Sequence, residues 1–118
     1  MNDQTESTTA ALRALSNERR LAIVKWLKDP TAHFPPQKDG DLVVDGVCVG
    51  FITKKIGLSQ PAVTEHMQVL AEAGLVTSKK IRNWVFYKLD EQRIAVFLSD
   101  LEGSIGSPEM SLISKSSH

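Results

Sequence analysis

Gln60, Thr64 and Gln68 recur four residues apart, a spacing that lines two amides and a hydroxyl along one side of a helix. An amide donates and accepts at once, which suits the major-groove edge of adenine. A threonine can bond a base edge or touch a thymine methyl. Ser59 and the backbone N–H groups of a helix starting there would offer a phosphate donors and a favourable dipole. Pro61 lies on the same side, and Glu65 and His66 flank it. Further along, Lys79, Lys80 and Arg82 gather three cations within four residues. Such a group can clamp a phosphate backbone or enter a minor groove, positioning a protein without reading sequence. The chemistry these ten residues share is recognition of double-stranded DNA.

Each feature alone is also what a solvated helix face or hairpin would show, so the elements that must position them carry weight. Ser59 is an N-cap, Pro61 is tolerated in the first turn, and Val63, Met67 and Leu70 form an inward stripe. The helix therefore spans Gln60 to about Glu72, with Gly74 as its stop. Before it, Val49–Ile56 reads as a short helix with Phe51, Ile52 and Ile56 inward, and Gly57 permits a sharp turn between the two. After it, Leu75–Ile81 and Trp84–Leu89 read as two strands joined by Arg82-Asn83. The order helix, turn, capped helix, glycine, basic hairpin describes a winged helix-turn-helix, mainly α with a β-hairpin wing.

The flanks complete one domain over residues 8–102. Thr8–Leu15 is a short first helix carrying Leu12 and Leu15. Asn17 caps a second, Glu18–Lys28, with Leu21, Val24 and Leu27 on one stripe and Ile23 beside it. Asp29-Pro30 ends it. Residues 29–46 form an acidic loop rich in proline and glycine, with a short strand expected at Leu42–Val44. Asp90 caps a last helix, Glu91–Leu101, whose stripe of Ile94, Phe97, Leu98 and Leu101 has little domain left to cover it. That stripe favours a dimer contact. Residues 1–7 are expected to fray and residues 103–118 to form a disordered tail.

Bulk properties narrow the function. The formal net charge of zero argues against a polybasic, non-specific binder. Yet Lys54 to Lys88 holds six cations against two glutamates, so the basic charge sits on the helix-and-hairpin half. The single cysteine, Cys48, cannot close an intramolecular disulfide, and the polar start lacks the pattern of a leader. Without an apolar run of membrane-spanning length, a cytoplasmic protein with no membrane partner is expected. No nucleophile–base pair and no phosphate-binding glycine loop points to an enzyme, and no cofactor is expected.

Asn17-Glu18-Arg19-Arg20-Leu21-Ala22-Ile23-Val24, Ile56 to Leu70, Ala73-Gly74-Leu75-Val76 and Trp84-Val85-Phe86-Tyr87 together resemble the ArsR/SmtB group of bacterial winged-helix repressors. The resemblance covers roughly residues 10–101. It implies a homodimer held by the first and last helices, with Leu12, Leu15, Ile94, Phe97, Leu98 and Leu101 at the interface. One recognition helix per half-site would sit about 34 Å from its mate on a palindromic operator.

The resemblance is less informative about the releasing signal. Many members carry a Cys-Val-Cys metal site before the turn. Here Cys48 takes the first position and Gly50 the second, which removes half of the thiolate pair a soft metal wants. The last helix offers Asp90, Glu91, Asp100 and Glu102 but no histidine, so no metal site is expected there. Three inputs stay open: Cys48 as a redox thiol, a hard-ligand site among His33, Asp39, Asp41 and Asp45, and a small organic effector near Trp26, His33, Phe34 and the dimer interface. A winged-helix module for protein–protein contact is the alternative of a different class. The polar helix face and basic hairpin favour a transcriptional repressor over it.

Overall fold

A computed structural model describes residues 3–108 of the chain. The elements run α1 (Asp3–Leu15), α2 (Glu18–Lys28), α3 (Pro30–His33), β1 (Val47–Cys48), α4 (Val49–Ile56), α5 (Gln60–Glu72), β2 (Val76–Ile81), β3 (Trp84–Leu89) and α6 (Glu91–Ile105). Three caps act where the sequence places them. Asn17 Oδ1 accepts from the N–H groups of Arg19 and Arg20 at 3.0 and 3.1 Å. Ser59 Oγ accepts from Ala62, and Asp90 Oδ1 from Arg93. At the far end of α5, Leu75 N–H donates to Leu70 O and Gly74 N–H to Ala71 O, the paired bonds of a Schellman stop.

Several boundaries differ from the sequence reading. α1 begins at Asp3, five residues before the expected Thr8, so residues 3–7 are helical rather than frayed. Gln4 Nε2 donates to Asp100 Oδ1 at 2.7 Å and ties that extra turn to α6. α6 itself runs on to Ile105, past the expected end at Leu101. The rest of the expected tail, residues 109–118, lies outside the described residues. Leu42–Val44 is a turn, not a strand: Asp41 Oδ2 accepts from the N–H groups of Val43 and Val44. That local pairing takes the donors a ladder would need. The strand forms instead at Val47–Cys48, and Pro30 opens an additional single turn of helix, α3.

The inward faces also shift by a residue in two helices. In α1, Thr8, Ala11 and Ala14 are buried, Leu12 is exposed and Leu15 is half-buried. In α2, Ile23 and Leu27 point into the core and Leu21 is exposed. Neighbouring stripes on a helix differ by only one residue in register, so both readings fit the same apolar spacing. The core gathers Ile23, Ile52, Val63, Met67 and Leu70, all at 0% exposure, with Leu75 and Val76 entering from the wing. These residues bind the two reading helices and the sheet into one body. Gly57, between α4 and α5, has φ 75°, a left-handed conformation that costs a glycine little and sets the turn of the motif.

The sheet is antiparallel in the order β1-β3-β2. Val47 pairs with Tyr87 and Cys48 with Phe86; on the other side Val76 pairs with Leu89 and Ile81 with Trp84. Paired residues share a face and neighbours alternate. The inner face therefore carries Val47, Val85, Tyr87 and Leu89, packed on the helical core. The outer face carries Cys48, Trp84, Phe86 and Lys88. Residues 37–46 fold across that outer face. Gln37 Nε2 donates to Gly46 O at 2.9 Å, and Cys48 N–H donates to Gln37 Oε1 at 2.6 Å. Gly46 makes the join possible, because a Cβ there would sit 2.5 Å from the carbonyl oxygen of Tyr87.

Candidate nucleic-acid interface

With Val63, Met67 and Leu70 fully buried, the opposite side of α5 is left to solvent. Gln60, Pro61, Thr64, Glu65 and Gln68 line one shallow surface depression there. Five of the ten sequence candidates are thus brought together on a rigid helix, and Ser59 stands at its capped start. Their donors and acceptors are the kind a major groove presents in return. The helix N-terminus beside them adds N–H groups for a phosphate.

His66 does not join this group. Its ring turns toward α2, where Nδ1 lies 3.2 Å from Arg20 Nη1. Arginine can only donate, so Nδ1 accepts and Nε2 carries the ring proton. Burial, then the charges of Arg20 and Arg19, hold this histidine below its ordinary 6.5. Arg20 also donates through Nε to Ala14 O at 2.7 Å. It therefore ties the end of α1, α2 and the flank of α5 together. Arg20 is a positioning residue absent from the candidate set, and no local pattern marked it, because its partner His66 lies 46 residues away.

The three wing cations do not form one cluster. Lys79 pairs with Phe86 and Lys80 with Val85, so the two lysines point to opposite faces of the sheet. Lys79 Nζ sits 2.6 Å from Asp45 Oδ1, and this hydrogen-bonded ammonium lowers the Asp45 carboxyl below the usual carboxylate range. Lys88 Nζ donates to Val44 O nearby. Arg82 occupies the hairpin tip with φ 57°. A non-glycine residue held there at a cost of about 1–2 kcal/mol is what a functional tip side chain would explain.

Trp26 and Phe34 meet edge to face at 6.3 Å, and Lys55 Nζ lies over both rings, at 5.2 and 5.8 Å. His33 is exposed. In the acidic loop, Asp41 and Asp45 shape the turn and hold Lys79 instead of converging with Asp39 on a common point. Cys48 is half-buried on the outer face of the sheet and stands at the N-cap position of α4 without a side-chain capping bond. In α6, Phe97 turns into its own core, Ile94 and Leu101 pack at the core edge, and Leu98 stays 54% exposed.

A family model described as "Bacterial regulatory protein, arsR family" matches residues 47–78, which span β1, α4, α5 and the start of the wing. An HTH-type transcriptional regulator of Bacillus subtilis (strain 168), YbzH, is 39% identical over 93 residues, covering 79% of this chain and 93% of its own. The chain belongs to the arsR family of bacterial regulatory proteins. As a family member it is a DNA-binding transcriptional regulator with a winged helix-turn-helix fold. The transcriptional activator HlyU of Vibrio cholerae is 28% identical over 98 residues, covering 83% of this chain and 77% of its own. Its structure aligns with a TM-score of 0.58 at 27% identity, covering 91% of this chain and all of that one. The winged helix-turn-helix domain of Mb0332 from Mycobacterium bovis shares the fold at 19% identity, with a TM-score of 0.59 and coverage of 88% and 87%. Within this arsR-family chain, α4 and α5 are the helix-turn-helix and β2–β3 the wing.

Proposed function

We propose that the protein is a cytoplasmic, homodimeric repressor that reads a palindromic operator and lets go of it on a signal other than a metal. The observation that carries this reading is the α5 surface of Gln60, Pro61, Thr64, Glu65 and Gln68, polar and open on a helix whose other side is fully buried. Gln60, Thr64 and Gln68 read bases; Ser59, Lys80 and Arg82 hold phosphates; Lys79 joins them when it leaves Asp45. No catalytic role is assigned to any residue. A second copy covers the apolar surface that Leu12, Val96, Leu98 and Ile105 expose on α1 and α6. The Mb0332 domain, which has the same fold, is described as homodimeric. Among the described residues no helix is long and apolar enough to cross a membrane, in keeping with a protein that meets DNA.

The test is a mobility shift on the promoter upstream of the protein's own gene, with sedimentation to count subunits. A saturable complex of two chains per site, weakened by salt, is expected. Equal affinity for random DNA overturns sequence-specific regulation, and a monomer at the working concentration overturns the dimer. Gln60→Ala and Thr64→Ala should each remove on the order of 1–3 kcal/mol of discrimination at one base position.

A further inference from the structure

The outer face of the wing sheet and the loop laid over it do not close completely. Between them lies a cavity of about 270 Å³. Its floor is Cys48, Trp84 and Phe86, three residues that the strand register places on one face. Gly50 and Phe51 of α4 form one wall, and Gln37 of the loop another. The polar groups of that loop wall are already committed: the Gln37 amide bonds Gly46 O on one side and Cys48 N–H on the other. Lys38 and Asp39, of opposite charge, stand on the loop side. The site therefore offers mostly apolar, aromatic surface and no net charge to match.

These features select a ligand class. A dry apolar cavity of about 150 Å³ is enough to hold benzene, and this one approaches twice that volume. Trp84 is half exposed, so a ring face is available for stacking against a planar guest. Binding sites for small molecules are typically concave and mostly apolar. We infer that the cavity between the 37–46 loop and the outer face of the wing sheet binds a neutral, planar, two-ring aromatic molecule, and that this molecule is the signal for release. The inference rests on the regulator reading above. The route to DNA is short: Trp84 pairs with Ile81, the last rung before the Arg82 tip, and Phe51 lies on the first helix of the reading motif. A guest wedged there couples loop, wing and α4.

Cys48 is the chain's one thiol, so its alkylation reports occupancy without DNA. The full-length protein is treated with iodoacetamide in the presence of indole or 2-naphthol. At a probe concentration about ten times its Kd, alkylation should slow about ten-fold, following the fraction of empty sites. Gly50→Leu fills the cavity from α4, where an added Cβ meets only Cys48 Sγ at 3.8 Å. This variant should keep cooperative thermal unfolding and lose the protection by probe. Alkylation unaffected by both probes, or slowed equally in Gly50→Leu, overturns the site. Protection of Cys48 without any change in promoter binding overturns its role as the signal. Failure of the regulator reading shows separately, as loss of promoter preference by the protein without probe.

Discussion

The two faces of the wing sheet are built from similar residues and backed by different material. Val85, Tyr87 and Leu89 on the inner face pack against the helical core. Trp84, Phe86 and Lys88 on the outer face rest on an irregular loop fastened by Gln37, Asp45 and a carbonyl of Val44. Helices pack ridge into groove and fill space well. A loop must first satisfy its own backbone groups, and here it leaves a cavity. The contrast also divides the wing's charge, since Lys79 is held on the loop side and Lys80 is turned the other way. The inner face fixes where the wing stands, and the outer face is where its behaviour can be altered.

The largest difference between the two faces lies at Phe86, which is 1% exposed under the loop. Phe86→Ala should cost about 3–5 kcal/mol in chemical denaturation if the loop is an integral part of the fold. A loss well below that would show a loop that detaches without consequence. The lysine pair gives the next effect. Lys80→Ala should weaken binding to all DNA and reduce the salt slope by about one, while Lys79→Ala should do less because that charge is already paired. Asp45→Asn should free Lys79 and steepen the slope by nearly as much; an unchanged slope would show that DNA already displaces Asp45.

Arg82→Gly should hold or raise stability by up to about 1 kcal/mol, since the left-handed tip suits glycine, while DNA affinity falls. For His66, burial and Arg20 depress the folded value, so as pH falls the unfolded chain takes up its proton first. Its contribution to stability is full above 6.5 and is lost as pH drops through the folded value. His66→Gln should flatten the pH dependence of the melting temperature between about pH 7 and pH 5; an unchanged profile would show that neither burial nor the Arg20 contact lowers the proton affinity of His66 in solution.

The features legible in the sequence lie mostly within single elements. Ser59, the Val63–Met67–Leu70 stripe and Gly74 define α5 within one short stretch, and once that stripe is inward the polar side follows from helical period alone. The same holds for the hairpin and the caps at Asn17 and Asp90. The expected strand at Leu42–Val44 failed because apolar residues there compete with an aspartate that captures their N–H groups. Which partners meet across the chain is fixed only on folding: Lys79 with Asp45, 34 residues apart, and Arg20 with His66, 46 apart. Folding also parts Lys79 from Lys80 and lays the acidic loop over Phe86. Such pairings depend on sheet register, where a slip of one residue exchanges the two faces, and on how a long loop settles. Local pattern carries the period of an element but not the surface that comes to lie against it.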